Sequence, residues 1–142
     1  MKAATRRSSP AIDREGFELE ADSIRVMANP KRLMILTLLG EGPRTVTDIS
    51  ERLHLSIQNT SQHLRLMRDR SIVRAERSGR EVVYSLTSPV FFEACRLVRS
   101  ALLAEARARP AHFGWSGQSI PSQEALEEPL SNRGRRSASV PA

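Results

Sequence analysis

Gln58, Asn59, Ser61, Gln62 and Arg65 stand close together in one short polar stretch of the chain. A carboxamide presents a donor beside an acceptor, which suits bidentate pairing with the edge of adenine, and a guanidinium suits guanine in the same way. The chemistry these residues offer is hydrogen-bond recognition, with no bond made or broken. Turned at about 100° per residue, Thr60, Leu64 and Met67 share one face of a helix. Gln58, Gln62 and Arg65 then lie opposite, with Asn59 and Ser61 on the flanks. Any solvated surface helix has a polar face, so the surrounding elements must decide between the two meanings. Ser56 caps this helix and is counted with its outward residues. His63 falls on the flank, where packing or hydrogen bonding competes with a phosphate contact. Arg77 and Arg80 lie further on, one on each side of a glycine, and can reach phosphates or a minor groove. Arg44, Arg68 and Arg70 are additional phosphate candidates, and His54 reads as an exposed turn residue.

The rest of the chain offers little other chemistry. No nucleophile–base pair, phosphate-cradling glycine loop or paired carboxylates stand out, so an enzyme is not expected. The single cysteine, Cys95, excludes an internal disulfide and fits a reducing compartment. Its commonest role on an apolar stripe is that of a small buried hydrophobe. A redox-responsive thiol is the alternative, acting through an intersubunit disulfide or modification by a small thiol. Twenty-two Lys and Arg against 16 Asp and Glu give a net charge of +6, which suits a polyanionic partner or ordinary solubility. Lys2, Arg6 and Arg7 are followed by no apolar stretch, and no long apolar run exists, so neither a secretory leader nor a membrane span is expected. The expected location is the cytoplasm, and no cofactor is expected.

The elements that must position these residues are well punctuated. Residues 1–16 and 110–142 are poor in apolar side chains and read as disordered tails around a domain at 17–109, although His112, Phe113 and Trp115 form a small aromatic cluster. A helix is expected from Glu18 to Ala28. Asn29-Pro30 then starts a second helix, whose Leu33, Met34, Ile35, Leu36, Leu38 and Leu39 are apolar nearly all round, as in a central buried helix. After Gly40-Glu41-Gly42-Pro43, Thr45 and Asp48 resemble a capping box opening Val46–Leu53. The turn His54-Leu55-Ser56 leads into Ile57–Arg70, a helix-turn-helix pattern. Alternating Val82, Tyr84 and Leu86 pair with Ile72–Ala75 as a hairpin, and Ser88-Pro89 starts a last helix to about Ala108. Ile24 and Met27 on the first helix, with Phe91, Cys95, Val98 and Leu102 on the last, exceed what one small core needs. They are the expected dimer interface. The fold class is mainly α with a small β-hairpin wing: a winged helix-turn-helix, homodimeric through its first and last helices.

Three linked motifs resemble the ArsR/SmtB family. Met27 to Leu33 resembles its A-[DN]-x-x-R-L pattern, Leu55 to Leu64 its L-S-x-x-x-x-S-x-H-L recognition helix, and Arg77 to Leu86 its R-x-G-R-x-V-Y-Y-x-L wing. The resemblance covers about residues 20–105 and implies a homodimeric repressor of double-stranded DNA, with an inverted-repeat operator and an effector that lowers affinity. It does not say which effector. The family's metal sensors carry Cys-x-Cys followed by Asp where this chain has Thr45-Val46-Thr47-Asp48, and a threonine hydroxyl does not replace a soft-metal thiolate. Its other metal site uses histidines and carboxylates on the last helix, which has no histidine from Pro89 to Ala108. The resemblance is therefore to a metal-independent branch. The alternative is a thiol- or metal-responsive regulator using Cys95, with His112 and carboxylates, at a non-standard site. A winged-helix module for RNA or protein is a further alternative, against which the amide-rich face argues.

Overall fold

Each helix begins where a side chain can satisfy its free amides, and those caps set the architecture. In the computed structural model, which describes residues 12–113, Asp13 accepts from the Gly16 amide and opens α1 (Arg14–Met27). The helix thus starts one turn before the expected Glu18, inside the segment read as a tail. Asn29 accepts from the amides of Lys31 and Arg32, and Pro30 takes the first position of α2 (Pro30–Gly40). Thr45 caps α3 (Val46–Leu53), Ser56 caps α4 (Ile57–Asp69) and Ser88 caps α5 (Pro89–Ala108). A 3-10 turn, Pro110–Phe113, follows, so the last described residues of the expected C-terminal tail are helical.

The hairpin consists of β2 (Val73–Ser78) and β3 (Glu81–Leu86), with Ser78 paired to Glu81 across a two-residue loop. Gly79 has φ +64°, the positive value a tight hairpin turn requires of its first central residue. Sequence periodicity did not show β1, the two residues Arg44–Thr45 that pair antiparallel with β3 and complete a sheet of order β1-β3-β2. It ties the start of the helix-turn-helix to the wing through the sheet.

The core gathers where α2, α3, α4 and the sheet meet. Ile35, Leu36 and Leu38 of α2, Ile49 of α3, Leu64 and Met67 of α4, and Ile72 after it are fully buried. Gly40 lies flat against Phe92 of α5, and a Cβ there would sit 2.5 Å from the ring. The left-handed turn at His54 (φ 53°) closes α3 and redirects the chain into α4.

Candidate nucleic-acid interface

The helix-turn-helix holds α4 by one face only. Thr60, Leu64 and Met67 are completely buried, and the Thr60 hydroxyl is satisfied by donating to the Ser56 carbonyl (2.9 Å). That anchors the helix and turns Gln58, Ser61, Gln62 and Arg65 outward, all exposed, with Asn59 half-buried beside them. The Ser56 hydroxyl accepts from the Asn59 amide at 3.1 Å, so its first task is to cap the helix. Arg65 and Arg68 are exposed and make no ion pair among the described residues. The same holds for Arg77 and Arg80 on the wing, where Arg77 pairs with Val82 in the ladder and Arg80 follows Gly79 at the tip. The outer face of the amide-rich helix and the wing thus both carry exposed arginines without an ion pair among the described residues.

Other candidates sit elsewhere. His63 does not join the outer face: its Nδ1 lies 3.4 Å from a guanidinium nitrogen of Arg32 on α2, and its Nε2 is buried with no partner among the described residues. A guanidinium can only donate, so Nδ1 accepts and the proton belongs on Nε2. Burial, with the charges of Arg32 and Lys31, holds the His63 pKa below its ordinary value. Of the two roles weighed for His63, this placement favours packing between helices over a phosphate contact. Arg44 is likewise structural. It pairs with Glu41 (3.0 Å) and Asp48 (2.9 Å) and lies largely covered. Arg70 pairs with Asp22 of α1 at 3.2 Å.

Asp48 also accepts from Arg52 at 2.8 Å. Burial alone would raise its pKa, but the hydrogen bonds and charges of Arg52 and Arg44 outweigh that and hold the carboxyl below the usual range. With both carboxylate oxygens engaged and Thr45 occupied in capping, residues 45–48 do not fit a soft-metal site. Among the described residues, no group of three or more His, Cys, Asp or Glu side chains is placed to hold a metal ion.

The expected dimer residues divide in two. Met27 is in the chain's own core at 8% exposure, so it is not part of the open apolar face, and Phe91 and Cys95 are half-buried against that core. Ile24, Val98 and Leu102 remain exposed at 59%, 60% and 53%, joined by Phe17, Leu19 and Leu97, which the sequence reading had left out. Burial pushes the Cys95 thiol up, with Arg99 pulling back more weakly. That guanidinium also donates to the Thr37 hydroxyl at 3.2 Å. A thiol with a raised pKa is a poor nucleophile.

A capped helix-turn-helix followed by a hairpin on the same sheet defines a winged helix-turn-helix protein. The family described as bacterial regulatory protein, arsR family, matches residues 29–75, from the cap of α2 to the start of the wing. The HTH-type transcriptional regulator NmtR of Mycobacterium tuberculosis is 39% identical over 80 residues, which cover 56% of this chain and 67% of that protein. The HTH-type transcriptional repressor SmtB of the same organism is 37% identical over 73 residues, covering 51% of this chain and 54% of the repressor, about half its length. The crystal structure of M. tuberculosis Rv0081 superposes with a TM-score of 0.62 at 30% identity, covering 70% of this chain and all of that one. The chain belongs to the arsR family.

Proposed function

We propose that this protein is a sequence-specific transcriptional repressor that binds double-stranded DNA as a homodimer and performs no catalysis. The observation that carries the reading is the outer face of α4, where Gln58, Ser61, Gln62 and Arg65 stand exposed, with Arg77 and Arg80 exposed on the wing of the same domain. In helix-turn-helix proteins such residues meet base edges in the major groove, while basic groups on either side hold phosphates. Gln58, Gln62 and Arg65 read bases, Asn59 and Ser61 support them at the helix start, and the wing arginines grip the backbone. Ser56 adds a backbone contact beyond its capping role.

The exposed Ile24, Val98 and Leu102 supply the dimer seam. Apolar side chains on two terminal helices, left open by the chain's own core, suit burial against a second copy. A twofold dimer reads an inverted repeat. No helix among the described residues is long and apolar enough to cross a membrane, and the proposed site of action is the cytoplasm. The half-buried Cys95 favours a packing role over a thiol switch, and residues 45–48 favour independence from metals. Selection of duplexes from a random-sequence pool, followed by mobility shift, tests the reading. Enrichment of an inverted repeat supports it, and binding without any sequence preference contradicts it.

A further inference from the structure

Two polar ties join the recognition helix to α1 and its neighbour, and neither belongs to the base-reading face. His63 on α4 and Arg70, the residue that caps its C-terminal end, are seven residues apart, about two helical turns, so they project from nearly the same side. Arg70 reaches Asp22 of α1 directly at 3.2 Å. His63 meets Arg32 of α2 at 3.4 Å, and the Nε of Arg32 donates in turn to the carbonyl of Val26 on α1. Asp22 and Val26 are one turn apart on α1. Two rungs therefore run from one side of α4 to one side of α1, spaced along both helices.

We infer that Asp22 and Arg32 are positioning residues that set the angle of α4 against the dimer-forming helix, and so the half-site spacing the protein accepts. The inference rests on the homodimer reading above. In a twofold dimer, the distance between the two recognition helices is fixed by how each is held relative to the interface. The buried side chains of α4, Thr60, Leu64 and Met67, pack it into the core, and His63 and Arg70 flank that face on the Met67 side. Apolar packing is weakly directional, so a small change in the angle of the helix costs it little. Polar ties at two points along its flank are directional and fix that angle. An exposed ion pair such as Asp22–Arg70 adds little to stability, but its directionality constrains orientation. Arg32 is more deeply placed, and its role is legible in chemical terms: a guanidinium among the apolar residues of α2 must find acceptors, and it finds one on each of the two helices it joins.

The test uses the full chain and the duplex it selects from a random pool, together with the same duplex lengthened or shortened by one base pair at its centre. The affinity ratio between the selected and altered spacings is the readout, because a purely structural role would change stability without moving it. Asp22→Ala and Arg32→Met should each lower that ratio about threefold to tenfold, while circular dichroism shows a folded protein. The exchanged pair, Asp22→Arg with Arg70→Asp, should restore the ratio toward that of the unsubstituted chain. Should Arg32→Met fail to fold, Asp22→Ala on the exposed tie carries the test. Folded variants that bind DNA and keep the original ratio overturn the inference while leaving the DNA-binding reading intact. If the unsubstituted chain selects no duplex, the reading fails and the inference falls with it.

Discussion

The second helix and the last helix of this chain are both rich in apolar residues, yet they end in opposite surroundings. Within α2, Ile35, Leu36, Leu38 and Leu39 are all buried at 3% exposure or less. In the twenty residues of α5, Ala106 alone is buried, and Val90, Leu97, Val98 and Leu102 are more than half exposed. The contrast separates two uses of the same side chains. The α2–α3–α4 unit has enough partners within the chain to bury its apolar face and so presents the recognition helix rigidly. Helices α1 and α5 do not, and their open faces are the reason to expect a second copy.

That comparison predicts different responses to substitution. Leu36→Ala or Leu64→Ala should cost about 2–5 kcal/mol of unfolding free energy, measured by urea denaturation, because each leaves a cavity in a closed core. A Gly40→Ala change should also destabilise, by about 1–3 kcal/mol in the same assay, since its methyl would meet the Phe92 ring. If α5 were as fully packed as α2, Leu102→Ala would cost as much as Leu36→Ala. The expected cost in the isolated chain is much smaller.

At the interface with DNA, Gln58→Ala or Gln62→Ala should weaken binding to the selected duplex by about 1–3 kcal/mol and leave random DNA nearly unaffected. Arg80→Ala should weaken both alike and flatten the dependence of log affinity on log salt by about one unit. Equal loss on both duplexes from the glutamine changes would mean that another face reads the sequence.

The smallest expected effect is a pH dependence. The neutral His63 is favoured in the folded chain, whereas the unfolded chain takes up its proton at the ordinary value of about 6.5. Its contribution is therefore present above that pH and is lost as pH falls through the depressed folded value. Denaturation midpoints should decline in that window, and His63→Gln should flatten the decline. An identical profile in the variant would assign the decline to other groups.

Much of this architecture was legible because local signals agreed. Asn29-Pro30, Thr45, Ser56 and Ser88 each cap the helix expected of them. The start of α1 was missed because residues 1–16 carry few apolar side chains, although Asp13 stands ready to cap the Gly16 amide. A two-residue strand such as β1 has no period to read. The surroundings of two site candidates were not legible, for one reason. His63 and Arg44 were sorted by residue type and the period of one helix, but their roles depend on Arg32, Glu41 and Asp48, which the fold brings in from neighbouring elements. Met27 shares a stripe with Ile24, and only packing shows that the core closes over one and leaves the other open.

Analytical ultracentrifugation of the chain with its selected duplex, for the unsubstituted protein and for Val98→Glu/Leu102→Glu, tests the central claim most directly. The account predicts two chains per duplex for the first. For the second it predicts a folded monomer, confirmed by circular dichroism, whose affinity for the duplex has collapsed. A single unsubstituted chain binding one duplex tightly, or a charged variant that still binds as a dimer, would contradict it.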